Sequence, residues 1–278
     1  MTVAALHAEG AAALAPGAGL PDPAREARWL LAEALGRTEA WVIAHGDDAV
    51  PADAEARFRA WLGRRAAGEP AHYIVGRCPF WGRMFAVTPA VLIPRPETEL
   101  MVECALRRPP RGGPRVLDVG TGSGCLAVTL ALELSGAAVA ATDLSPAAVA
   151  LARRNARVLG AAVSFAVGDL AAHLRGPFDL VVANLPYVPA EEIPGLAVEI
   201  RGHEPHLALA GGADGADLIR ALVADLPRLL APGGRVLLEM GPRQRAEVAA
   251  AVAAAGLVEV HRGLDHAGVE RVLVLQRG

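Results

Sequence analysis

Asn184, Leu185, Pro186 and Tyr187 close an apolar, β-branched run in the segment VVANLPYVP, and their types suit one chemistry. A neutral NH2 group is a poor nucleophile because its lone pair is delocalised; the same resonance gives a peptide bond its rotation barrier of about 18–20 kcal/mol. Acceptors for both hydrogens would hold such a group in one orientation. The side-chain oxygen of Asn184 can take one and a backbone carbonyl, that of Leu185, the other. Pro186 fixes its own φ and confines Leu185 to extended backbone, which aims that carbonyl. Tyr187 offers a flat face for a planar group to lie against. Asn does not titrate, so the motif fits a neutral NH2 rather than an ammonium that must first lose a proton. Taken alone, the four residues could equally form an ordinary turn.

A second constellation lies upstream. LDVGTGSG places Gly120, Thr121, Gly122, Ser123 and Gly124 directly after an apolar run and before a helical one, where glycines let the backbone turn sharply and approach a ligand. The spacing is G-x-G-x-G, and Cys125 stands where a dinucleotide fingerprint wants its third glycine, which weakens a nicotinamide reading. Asp143, at the end of the next strand, can accept two hydrogen bonds from a ribose diol. Asp169, after a third strand, falls at the adenine position with Leu170 as an apolar wall. Any one of these is weak, since a strand-end Asp is more often a cap or turn former. Together with Asn184 at the end of a fourth strand, they describe a site for an adenosine-containing cofactor without a long phosphate tail, so Asn184 counts among the cofactor-binding candidates as well. If that cofactor carries a methyl group on a sulfonium, the protein's task is positioning and electrostatics.

These residues need strands that end on one edge. From Arg115 onward, strands alternate with helices: RVLDV, AVAATD, VSFAV, DLVVAN, GRVLLEM, LVEVHR and ERVLVLQ, the last two without an intervening helix. That grammar predicts an α/β fold, a seven-stranded, mainly parallel Rossmann-like sheet covered on both faces, with the final two strands antiparallel. Residues 1–72 carry helix punctuation instead. Asp22 suits a cap, Pro23 a first turn and Gly36 an end, and a second run, ADAEARFRAWLGRRAAG, follows, so a small helical bundle is expected. Trp29, Trp41 and Trp61 fall at helical spacing and read as core. Residues 73–95, aromatic and β-branched with Gly and Pro, read as a hairpin connector. A helix starts at Pro96, and the catalytic domain is placed at 96–278.

Composition narrows the class. The chain has 278 residues with a net charge of −3, and it contains no lysine. Residues 1–70 carry seven arginines against ten acids and the remainder twenty against twenty, so neither part has the basic footprint of a protein held by nucleic-acid phosphates. Cys78, Cys104 and Cys125 are too few and too scattered for a disulfide framework or a zinc site. His203 and His206 lack a further spaced ligand, so no metal is expected. The apolar N-terminus has no basic region and contains Glu9, and the longest apolar tract is broken by Glu133 and Gly136. A cytoplasmic protein without a membrane span is expected.

VLDVGTGSG, Asp143 and ANLPYVP resemble a class I S-adenosyl-L-methionine-dependent methyltransferase of the amino-methylating kind. EPAHYIVGRCPFWGRMFAVTPAVLIPRPETE, EPHLALAGGADG and DHAGVERVLVLQ resemble the HemK/PrmC family, which methylates the glutamine of the GGQ motif in peptide chain release factors. The likeness covers nearly the whole chain, and LIPRPETE is its most specific block. It implies that Gly120 to Gly124 and Asp143 meet the methionine and ribose parts of S-adenosyl-L-methionine, Asp169 and Leu170 the adenine, and Asn184 to Tyr187 the glutamine amide. It also implies a release-factor-binding N-terminal domain, and a pocket role for Arg95, Glu97 and Thr98, which could otherwise cap the helix at Pro96. One position departs: Leu185 replaces the family's first proline and gives the NLPY of ribosomal-RNA adenine dimethyltransferases. An adenine amino-group methyltransferase acting on RNA or DNA is therefore the rival. The extra domain precedes the core here, whereas those RNA enzymes carry theirs after it, which favours the protein substrate. A cofactor-binding module without turnover is a third reading.

Overall fold

The computed structural model describes residues 1–15, 20–110, 112–241 and 244–278. The chain divides into two units, Met1–Arg77 with Ala197–His203, and Cys78–Leu196 with Glu204–Gly278.

The first unit is helical: α1 (Val3–Leu14), α2 (Pro23–Leu35), α3 (Glu39–Ala44), α4 (Ala52–Ala66) and the short α5 (Ala71–Val75). Local signals set the ends. The Asp22 carboxylate accepts the Arg25 N–H, Pro23 occupies the first turn of α2, and Gly36 ends it at φ 64°. Leu6, Leu14, Leu30, Leu31 and Phe58 form the buried centre. The three tryptophans expected as core are instead half-buried at its edge. Polar partners account for two of them: Trp41 stacks on His45 and lies under the Arg37 guanidinium, and Trp29 meets the His72 ring edge-on. α5 occupies the stretch that opens the expected connector, because Pro70 and the left-handed Gly76 bracket one helical turn that buries Tyr73 and Ile74. A later segment, α9 (Val198–His203), belongs to this unit. Arg65, only 3% exposed, ties it in, with Nε on Glu26 at 2.7 Å and Nη2 on Glu199 at 2.7 Å.

The second unit opens with a two-stranded sheet, β1 (Arg77–Phe80) and β2 (Arg83–Ala86), whose Phe80 and Phe85 rings pack edge to face at 6.0 Å. A 3-10 turn at Pro96–Thr98 leads into α6 (Glu99–Arg107). The alternating part follows: β3 (Arg115–Val119), α7 (Cys125–Glu133), β4 (Ala138–Asp143), α8 (Pro146–Leu159), β5 (Val163–Val167) and β6 (Phe178–Ala183). After α9 come α10 (Asp217–Leu229), β7 (Leu230–Glu239), α11 (Gln244–Ala254), β8 (Leu257–Leu264) and β9 (Glu270–Arg277). The seven-stranded sheet has the order β5-β4-β3-β6-β7-β9-β8. Five strands are parallel, and β9 pairs antiparallel with both β7 and β8, as the missing helix between the last two strands requires. Strand residues alternate between faces. Val116, Val139, Leu180 and Leu237 pack with α6 and α7, while Leu117, Val181, Val236 and Leu238 pack with α10 and α11.

Register explains why chemistry collects on one edge. Val119 pairs with Thr142 and with Ala183, and Ala183 pairs with Leu238. The next residues along the four strands are Gly120, Asp143, Asn184 and Glu239, which therefore stand in a row at the carboxyl ends, where open α/β sheets bind ligands.

Candidate active site

The turn after β3 is wound tightly around the end of β4. The N–H groups of Gly120 and Thr121 both donate to the Thr142 carbonyl at 2.9 Å, and the Gly122 N–H donates to Asp143 Oδ2 at 2.8 Å. Gly120 has φ 75°, and a Cβ there would come within 3.0 Å of the Leu185 side chain, so the loop and the Asn184 segment leave no room for a larger residue. Thr121 and Ser123 line the cavity but are almost fully buried. The Thr121 hydroxyl points inward and donates to Asp118 Oδ2 at 2.6 Å, which also accepts the Ala127 N–H. Burial pushes the Asp118 carboxyl up to about 7, against those two hydrogen bonds.

A cavity of ≈ 290 Å³ runs along this edge. Gly120 to Ser123, Asp143, Asp169, Leu170, Asn184, Leu185 and Pro186 all line it, so most residues singled out in the sequence converge on one space. Gly124 sits just behind as the left-handed cap of α7, φ 82°. Asp143 does more than face a ligand: its Oδ1 accepts the Ser145 N–H at 2.9 Å as its Oδ2 accepts that of Gly122. Each carboxylate oxygen keeps a further lone pair for a diol.

Tyr187 differs from expectation, because it is not among the cavity-lining residues. Its ring packs against the core on the α10 face, and its hydroxyl donates to Glu239 Oε1 at 3.4 Å. Burial, with Glu239 close by, pushes the phenol up to about 12. Thr98 and Arg95 line the cavity whereas Glu97 does not, and Thr98 makes no side-chain cap bond to α6. The Thr98 hydroxyl instead donates to Glu239 Oε2 at 2.7 Å and accepts from Asn184 Nδ2 at 3.1 Å.

Glu239 and Leu144 are two site residues not singled out in the sequence. Glu239 ends β7 as Asp143 ends β4, and the same strand-end logic would have found it. Leu144, 52% exposed, lines the cavity directly after Asp143. An apolar residue directly after a strand-end acid, as Leu170 follows Asp169, was the available signal.

The arrangement suits positioning more than covalent catalysis. The three cysteines are buried, and burial pushes the Cys78 and Cys125 thiols up to about 12, which leaves no thiolate nucleophile. Among the described residues, no group of three or more His, Cys, Asp or Glu could hold a metal ion. The cavity fits an adenosyl sulfonium in its donor set. Gly122 contributes backbone without a side chain, Asp143 has lone pairs for a ribose, Leu144 and Leu170 supply apolar walls for a purine, and Asn184 lies beside the glycine turn.

Comparison with known proteins agrees. The PrmC N-terminal domain family matches residues 6–76, and the methyltransferase small domain family matches residues 96–200. The release factor glutamine methyltransferase of Cereibacter sphaeroides is 47% identical over 258 residues, 92% of this chain and 92% of its own. That of Bordetella pertussis is 44% identical, covering 90% and 93%. Among solved structures, a ribosomal protein L11 methylase from Lactobacillus delbrueckii subsp. bulgaricus is similar with a TM-score of 0.50 and 25% identity, over 65% of this chain and 78% of that one. A methyltransferase from Pyrococcus furiosus shares the fold with a TM-score of 0.55 and 19% identity, over 72% and 91%.

Proposed function

We propose a reaction for this chain from the premise that it belongs to the release factor glutamine methyltransferases, the HemK/PrmC family. It transfers a methyl group from S-adenosyl-L-methionine to the side-chain amide nitrogen of the glutamine in the GGQ motif of peptide chain release factors. When bound, S-adenosyl-L-methionine supplies the electrophilic methyl group. The turn Gly120 to Gly124 and Asp143 hold the methionine and ribose parts, and Asp169 and Leu170 meet the adenine. Asn184 takes one hydrogen of the glutamine NH2 on its side-chain oxygen, and the Leu185 carbonyl takes the other. Two acceptors keep the planar amide from turning away and lower the cost of charge that develops on nitrogen as the new bond forms. Pro186 aims the 185 carbonyl, and the half-buried Tyr187 ring, its hydroxyl anchored on Glu239, offers its face to the planar amide.

The observation that carries this reading is the shared edge: register alone sets Gly120, Asp143 and Asn184 side by side on one cavity. The helical unit, residues 1–72 with its hairpin connector 73–95, grips the release factor, and the enzyme works in the cytoplasm on protein rather than nucleic acid. A chain without lysine and with a net charge of −3 is poorly suited to phosphate backbones.

The test is methyl transfer to a purified release factor by wild type and Asn184→Ala, read by mass spectrometry of the glutamine peptide. Loss of one acceptor should lower kcat by about 10²–10³-fold, by analogy with removal of a single hydrogen-bonding group from an oxyanion site. Cofactor affinity should stay within about threefold, because Asn184 holds the substrate side. Undiminished turnover would remove Asn184 from the reaction. Label appearing on RNA and not on the release factor would replace the substrate.

A further inference from the structure

The reaction needs Asn184 to show oxygen, not NH2, to the incoming amide. A terminal amide torsion is broad and nearly two-fold, so either way round is open to it intrinsically. What lies beneath it decides. Asn184 meets Thr98 Oγ1 at 3.1 Å, and Thr98 meets Glu239 Oε2 at 2.7 Å. Thr98 and Glu239 are each 2% exposed, so water has little access to substitute for either partner.

Counting protons gives the chain a direction. A hydroxyl has one proton to give, and an ionised carboxylate can only accept. The Thr98 proton therefore goes to Glu239, and the oxygen that Thr98 turns toward Asn184 carries a lone pair. Only the NH2 of Asn184 can satisfy it. The Asn184 oxygen is left over, on a residue that lines the cavity. Tyr187, donating to the other carboxylate oxygen at 3.4 Å, steadies the far end. We propose that Thr98 and Glu239 are positioning residues whose one-way hydrogen-bond relay sets the Asn184 amide oxygen toward the substrate glutamine. The inference rests on Asn184 being the amide acceptor.

The relay has a titratable end. Burial pushes the Glu239 carboxyl up to about 7; the Thr98 hydroxyl opposes the rise, Glu97 adds to it, and Arg271 and the Tyr187 hydroxyl oppose it. Arg271 is itself paired with Asp265 at 2.9 Å. Once protonated, Glu239 can donate as well as accept, and the direction of the relay is no longer enforced.

The test measures kcat and KM for a release factor between about pH 5.5 and 9 for wild type, Thr98→Val, Thr98→Ser, Glu239→Gln and Asn184→Ala. Cofactor affinity is measured by calorimetry for each. Wild-type kcat should rise with pH through about 7. Thr98→Val, which keeps shape and loses the hydroxyl, should lower kcat by about 10- to 100-fold, abolish that rise and leave cofactor affinity within about twofold. Thr98→Ser should restore kcat to within about threefold of wild type. Glu239→Gln, which can accept or donate, should be slower by about tenfold and flat through pH 7. Thr98→Val with wild-type kcat, or Glu239→Gln with the acid limb intact, overturns the relay; should Thr98→Val not fold, the Glu239→Gln profile decides. If Asn184→Ala is inactive while Thr98→Val behaves as wild type, the relay alone fails. If Asn184→Ala is fully active, the acceptor reading beneath it fails.

Discussion

At position 185 the chain carries leucine where the resembled motif has proline. That side chain is 3% exposed and packs on the turn at Gly120. The substitution thus exchanges a backbone restriction for a core contact that ties the acceptor loop to the cofactor turn, while the carbonyl stays. Leu185→Pro should keep methyl transfer within about threefold, because the acceptor atom is unchanged. It should cost about 2 kcal/mol of stability through lost packing, read from the midpoint of urea unfolding. Asn184 and Asp143 were legible because each stands at the end of a strand whose period and boundaries are local. The strand-end place of Glu239 and a pocket place for Thr98 were within reach of the same reading, but the bond that joins them was not, because it spans 141 residues of sequence and depends on register.

Among the elements, the stretch after a 3-10 turn at His206–Ala208 accounts for the glycines of AGGADG. Where AGGADG begins, the Val188 N–H donates to the Leu209 carbonyl, and the Gly211 N–H donates to that of Val188, both at 2.9 Å. This ladder lies against the acceptor loop so closely that a Cβ on Gly211 would meet the Pro186 carbonyl oxygen at 2.7 Å, and one on Gly215 the Tyr187 carbonyl oxygen at 2.3 Å. Gln244 at the start of α11 clamps the same place, its Nε2 donating to the carbonyls of Tyr187 and Gly215. The glycines are required by backbone proximity, which composition cannot reveal. Gly211→Ala should displace the loop and lower kcat by about 100-fold, since small misplacements of positioning groups cost that much. Cofactor affinity, measured by calorimetry, should fall less than kcat, because the hydrogen bonds that wind the turn at Gly120 run to Thr142 and Asp143 rather than to the displaced loop. The parallel strands and the antiparallel ending followed directly from alternation, whereas the strand order did not, and α5 was hidden by a single turn too short to show periodicity.

For the whole molecule, two buried carboxyls govern how stability varies with pH. Asp118 and Glu239 are each raised to about 7 from ordinary values of 3.8 and 4.5. Between about pH 5 and 7 the folded chain therefore holds protons that the unfolded chain has released, and stability falls as pH rises through that window. Carboxyls held low by arginines, Asp265 with Arg271 and Glu69 with Arg64, are ionised in both states there and contribute no slope. With about 1.4 kcal/mol per pKa unit, the cofactor-free protein should lose a few kcal/mol between those limits, measured by urea unfolding at each pH. Among the described residues, no helix is long and apolar enough to cross a membrane.

The membership of α9 in the first unit bears on how such enzymes can be recombined. Arg65 lies early in the chain and its partner Glu199 far along it, 134 positions later. A chimera that takes residues 1–77 from one homologue and the remainder from another inherits the guanidinium from one parent and its carboxylate from the other. Viable grafts must then carry 197–203 along with the front segment, or draw both parents from lineages that agree at the two positions.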